Sequence, residues 1–410
     1  MEGRGGMEML TSFALIFLGG LASGALCRRL QLPGLVGMLL TGMLLGPSGL
    51  NLLDPSVLGI SADLRELALI IILARAGLSL DLSDLRQLGR PAVLMSFVPA
   101  CFEMAATLFL APRLFPLTRM EAAILAAVVA SASPAVIVPR MIRLMETGYG
   151  TGKGIPQLIL AADAVDDLFN ILVFTALLGL NEGEGFSPLR FAELPLSVVL
   201  GVLVGAAAGY GLALLFRKAR IRDSRKLIIF LSVAFLLVSL EEAVKTVVPY
   251  AGLLAVMAAG VVLLKALPAG ARRLSVKCEK LWVAAELLLF ALVGAGVDVR
   301  DAAPAGLKTA GLLVFVLAVR GLGILLCLVK TKLNGRERLF CVCTGIPKAT
   351  VQAAIGGIPL AMGLPKGEII LAVAVFSILF TAPLGAFVLD RSYRHLLAKE
   401  PEGKASEARI

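Results

Sequence analysis

Runs of roughly 17 to 25 mostly apolar residues, each closed by charged residues or a Pro/Gly break, follow one another almost without interruption along this chain. In hydrocarbon every backbone N–H and C=O must be satisfied inside the protein, so runs of that length fold as membrane-crossing helices. About thirteen spans are expected, near 9–26, 33–50, 62–80, 91–112, 120–142, 156–180, 195–216, 226–247, 250–267, 281–297, 307–329, 338–362 and 367–389. With 58% hydrophobic and 17% charged residues among 410, the chain lies outside the composition of water-soluble domains. The expected fold class is an all-α membrane protein.

Basic residues set the orientation. Clusters at Arg217–Lys226, Lys265–Lys280, Lys330–Arg338 and Arg391–Arg409 fall on one side if the N-terminus is outside and the C-terminus cytoplasmic, as the excess of Lys and Arg in cytoplasmic loops requires. The net charge of +10 is then topological, and no nucleic-acid partner is expected. The first apolar run is preceded by Glu2, Arg4 and Glu8 and followed by Arg28 and Arg29, the reverse of a signal peptide's charge order, so it is kept as a helix. The six cysteines have no metal-ligand spacing and read as reduced packing residues, and the single histidine, His395, lies in the tail. Proton chemistry inside the membrane then falls to carboxylates or a lysine.

Two stretches resemble each other. Ala76-Gly77-Leu78-Ser79-Leu80-Asp81 closes the third span and Ala295-Gly296-Val297-Asp298-Val299-Arg300 closes the tenth. Each is followed by a span with one charge read as buried, Glu103 or Arg320, and then by a span interrupted by proline, at Ser133-Pro134 and at Pro347-Lys348. Copies seven spans apart enter the membrane in opposite directions, which predicts two six-helix inverted repeats with span 7 as linker and crossed broken helices. Proline removes a donor and disfavours helix in the residue before it, leaving helix ends and carbonyls exposed at mid-membrane. A simple proline kink is the alternative, disfavoured because the two breaks sit in matching places. Glycine ladders at Gly20-x-x-x-Gly24 and Gly201-x-x-x-Gly205-x-x-x-Gly209 permit close helix packing, against a second protomer or within the chain.

Asp166 and Asp167 sit in the middle of the sixth span, with Asp163 one turn earlier. A charged side chain at the centre of a membrane helix costs about 2.5 to 3.5 kcal/mol, so three of them point to cation or proton binding. Sodium or lithium is expected on hard oxygens of Asp166 and Asp167, helped by the hydroxyls of Ser131 or Ser133 and carbonyls around Pro134. Burial and a neighbouring like charge both oppose the ionised carboxylate, so a proton and a cation compete for the pair. The repeat symmetry pairs Glu103 with Arg320, read as a structural ion pair. Lys348 is either a counter-charge for exposed carbonyl ends or a gate, with Pro347, Thr350 and Gln352 supporting the second break.

The blocks Arg75–Asp81, Ala132–Pro139, Gly148–Pro156, Asp166–Leu168, Arg320 and Pro347–Gly356 resemble the NHA-type sodium/proton exchangers of the cation/proton antiporter superfamily, over about residues 65–390. The resemblance implies a non-enzymatic antiporter without cofactor, working as a homodimer in the plasma membrane. It places dimerisation spans in 1–90 and 225–304, an ion-transport core in 91–180 and 305–390, a linker in 181–224 and a tail in 391–410. The core then slides against the dimerisation spans, with Asp167 as the main cation ligand. Electrogenic relatives have a lysine where this chain has Arg320. Arginine keeps its proton, so one-for-one, electroneutral exchange is expected. Asp163 departs from the family pattern, where a small residue is expected, and a third carboxylate adds a proton site or a ligand. The alternatives are a sodium-coupled organic-solute symporter of similar architecture and a channel or ion sensor. A nucleotide-gated potassium-efflux system is disfavoured because no regulatory domain follows Arg391.

Overall fold

The computed structural model describes residues 8–80, 88–181, 188–219, 221–244, 248, 250–297 and 299–399. Asp81 and Asp298 of the repeated signature, the flanking Glu2 and Arg4, and tail residues 400–410 lie outside these. Helix dominates the described residues, and the only β geometry among them is an isolated bridge between Tyr149 and Lys399.

Among the described residues six helical segments are long and apolar enough to cross a membrane: Met9–Arg29, Arg90–Leu114, Arg119–Thr147, Leu196–Lys218, Gly306–Cys327 and Gly367–Leu396. Of the other seven expected spans, six are helical over Gly34–Leu45, Ser61–Ser79, Ile155–Asn181, Asp223–Val244, Gly252–Ala266 and Pro268–Ala295, each shorter or richer in charge, and 338–362 is divided into Gly335–Thr344, Thr350–Ile355 and Ile358–Ala361. Length and composition thus support a multi-pass helical protein, with thirteen crossings an expectation beyond the six.

The chain divides into two compact units. One comprises residues 1–62, 83–171 and 289–410, and the other 63–82 and 172–288. Within the second, Gly201, Gly205 and Gly209 face Ala251, Ala255 and Ala259, where an added Cβ would lie 2.2–2.6 Å from their carbonyl oxygens. This ladder is used inside the chain, as is Gly24, which abuts the Gly34 carbonyl in the first unit.

The first unit holds both breaks. Helix Arg119–Val129 starts at a capping box, with the Thr118 hydroxyl accepting from Glu121 N and the Glu121 carboxylate accepting from Thr118 N. Helix Gly335–Thr344 starts in the same way at Asn334 and Glu337. The first helix ends at Ala130, and Ser133 is extended (φ −109°, ψ 112°), the backbone favoured before proline, and Pro134 opens a new helix, Pro134–Thr147. The second gives way after Thr344 and resumes as Thr350–Ile355. Both spans are therefore interrupted, not kinked. Ser133 N donates to Pro347 O at 2.9 Å, so the two breaks satisfy each other's backbone. Gly385 of helix Gly367–Leu396 lets that backbone lie against Pro347, where a Cβ would come within 2.7 Å of the ring.

Candidate functional site

Helix Arg119–Val129 ends in carbonyls that have no partner along the helix, and its macrodipole concentrates negative charge there. Side chains from three other segments supply the donors. Arg320 Nη1 donates to Ala130 O, Gln352 Nε2 to Ser131 O at 2.9 Å, and Lys348 Nζ to Ser131 O at 3.3 Å. Lys348 and Gln352 thus do at the first break what their position in the second places them to do.

Charges close around that end. Glu103, from helix Val98–Leu114, receives Arg320 Nη1 at 3.0 Å and Lys348 Nζ at 2.9 Å, with Nζ 2.8 Å from its other oxygen. Arg320 extends its second terminal nitrogen to Asp166 Oδ2 at 2.9 Å. All four groups are buried. Sequence symmetry pairs Arg320 with Glu103 alone, whereas the guanidinium fork bridges Glu103 to the aspartate helix and Glu103 takes a second cation. The planar fork makes this geometry available to arginine and not to a lysine.

Asp166 Oδ2 also accepts Ala132 N at 3.1 Å, while its Oδ1 is buried without a hydrogen-bond donor. Asp167, half-buried, accepts the Ser131 hydroxyl, for which Ala132 O is a second acceptor at 3.0 Å. Ser133 is turned to the other break, its hydroxyl 3.3 Å from that of Thr350. Of the two serines expected as ligand donors, Ser131 reaches the aspartates and Ser133 supports the crossing. Asp163 is 6% exposed with Oδ2 unpartnered.

Two contributors escape sequence reasoning. Asn170, buried one turn beyond Asp166, donates Nδ2 to Asp166 O at 2.6 Å and leaves Oδ1 unpartnered. Its i+4 spacing from Asp166 was the available signal. Thr381 accepts Lys348 N at 3.0 Å, which no local pattern indicates. Among the described residues no three His, Cys, Asp or Glu side chains converge as a resident metal centre would need. The arrangement offers two adjacent carboxylates, a hydroxyl and the backbone carbonyls of the break, a set suited to a weakly held hard cation or a proton.

A helical membrane protein built round two crossed breaks has solved counterparts. The sodium proton antiporter MjNhaP1 from Methanocaldococcus jannaschii, in its pH 8 structure, superposes with a TM-score of 0.81 over 95% of this chain and 98% of that one, at 18% identity. An electron-microscopy structure of the same protein gives 0.74. At that identity the likeness establishes the fold. A family model described as "Sodium/hydrogen exchanger, transmembrane" matches residues 13–391. Sodium/hydrogen exchanger 9B2 of Mus musculus is 35% identical over 405 residues, covering 92% of this chain and 72% of the relative, and its Homo sapiens counterpart is 33% identical over 404 residues with the same coverage. The chain belongs to the sodium/hydrogen exchanger family, as its motifs indicate.

Proposed function

We propose that this protein is a secondary active antiporter exchanging Na⁺ or Li⁺ for H⁺ across the plasma membrane, at Asp167 and Asp166. One observation carries the reading. Arg320 and Lys348 are matched by Glu103 and Asp166, so at the crossing of the breaks Asp167 meets the Ser131 hydroxyl and, among the described residues, no cation. A carboxylate in that position takes a cation or a proton, and the empty site is too costly to move through hydrocarbon. Exchange is the result of allowing only loaded forms to cross.

The expected core segments carry the whole site: Glu103, Ser131 and the aspartates from 91–180, Arg320, Lys348 and Thr350 from 305–390. We assign them as the moving body of an elevator-type cycle, with 1–90 and 225–304 as the dimerisation spans of a homodimer, 181–224 as linker and 391–410 as a cytoplasmic tail, the N-terminus outside. Since Arg320 holds its proton, one cation exchanges for one proton.

The experiment is sodium- or lithium-driven proton flux in proteoliposomes, without organic solute. Wild type should acidify or alkalinise the lumen according to the cation gradient, and Asp167→Asn should not. Wild-type flux in Asp167→Asn overturns the site, and a sodium gradient that moves protons only when an organic solute is added favours the symporter.

A further inference from the structure

The charges around the crossing of the two breaks fall into two sets. Arg320 and Lys348 balance Glu103 and Asp166 within a closed network of contacts between 2.8 and 3.0 Å. Two carboxylates of the aspartate helix, Asp167 and Asp163, have no cation in hydrogen-bonding contact among the described residues. Asp167 is the exchanging group of the reading above. Among the described residues Asp163 has neither a hydrogen bond nor an ion pair, and its side chain is buried at 6% exposure with Oδ2 wholly enclosed.

Its surroundings are electrostatically poor. Asp163 lies on helix Ile155–Asn181, three residues before Asp166 and four before Asp167, so all three share a face. The charged groups that bear on it are those two aspartates from its own helix and Arg320 from helix Val299–Cys327, already committed to Asp166 and Glu103. An ionised carboxylate so placed is a buried charge without compensation.

We propose that Asp163 holds a proton in every form of the site that crosses the membrane and does not exchange it, acting as a neutral acid whose ionisation arrests transport. The proposal rests on the exchange at Asp167. With Asp163 protonated, the sodium-loaded site and the proton-loaded site are both neutral, and the empty site carries one negative charge. With Asp163 ionised, both loaded forms carry that charge and neither crosses. The third carboxylate therefore leaves one-for-one exchange intact while adding a shut-off on the alkaline side. No bond other than O–H is made or broken, and the proton lost goes to water.

Sodium–sodium exchange isolates this step, because with saturating sodium on both sides Asp167 needs no proton. Uptake of isotopically labelled sodium into proteoliposomes is measured as pH is raised, for wild type, Asp163→Asn and Asp163→Glu. Wild type should lose about tenfold in rate per pH unit once Asp163 ionises, the slope of a single proton. Asp163→Asn, which mimics the protonated acid, should stay flat over that range. Asp163→Glu should keep the decline at a displaced pH, and decides the matter if the asparagine variant does not fold. A flat wild-type profile, or a decline unchanged in both variants, overturns the proposal. Asp167→Asn serves separately: sodium–sodium exchange that survives in it defeats the assignment of the exchanging site and not the role of Asp163.

Discussion

The guanidinium of Arg320 decides how the buried network responds to substitution. Removing one member of a buried ion pair leaves an unmatched charge, at a cost of about 3 to 5 kcal/mol. Glu103→Gln, Lys348→Gln and Arg320→Gln should each lower the melting temperature in detergent accordingly. The doubles separate the contacts. Glu103→Gln with Lys348→Gln leaves Arg320 on Asp166 as an intact pair, so it should recover much of the loss. Glu103→Gln with Arg320→Gln strands both Asp166 and Lys348 and should recover little. A two-residue pair, which is what sequence symmetry alone suggests, gives the opposite order. Glu103 and Arg320 were legible because equivalent helices each carry one charge near mid-span. The Lys348 contact was not: 245 residues separate it from Glu103, and a rotamer reaching across two breaks leaves no periodic trace.

Among the elements, the breaks were readable and the packing partners were not. Proline disfavours helix in the residue before it, so Ser133-Pro134 points to an interruption from sequence, although Pro112, Pro139 and Pro383 are carried inside helices. That Ser133 N answers Pro347 O depends on how two distant segments cross. The glycine ladder shows the same limit, since spacing gives a smooth face without naming its occupant. The contact geometry supplies a contrast. At Gly205 a Cβ would sit 2.2 Å from Ala255 O, whereas at Gly211 nothing lies within 4 Å. Gly205→Ala must push two helices apart, at about 1 to 3 kcal/mol as overpacking generally costs. Gly211→Ala should be neutral or stabilising by about 0.5 to 1 kcal/mol through helix propensity. Thermal unfolding of the two variants in the same detergent checks the pair, and equal effects would mean the helices do not meet there. At the start of the first broken span, Thr118→Ala removes a cap and should cost about 1 kcal/mol.

For the whole molecule the question is how much charge crosses per cycle. The in-membrane charges and their count were visible in the sequence, but which carboxylates are matched was not, and the balance turns on that. Glu103, Asp166, Arg320 and Lys348 close to neutrality, and arginine cannot trade its proton. If Asp163 keeps its own, the load at Asp167 is one positive charge in each direction and membrane potential does no work on the cycle. A net charge carried across would couple at about 2.3 kcal/mol per 100 mV, enough to shift the steady-state sodium gradient about fiftyfold. Sodium-driven proton movement should therefore be the same in liposomes clamped by potassium and valinomycin at zero and at negative inside potential. A gradient that shifts with voltage refutes one-for-one exchange. If that shift vanishes in Asp163→Asn while exchange persists, the third carboxylate is releasing a second proton, and the molecule spends the membrane potential through Asp163.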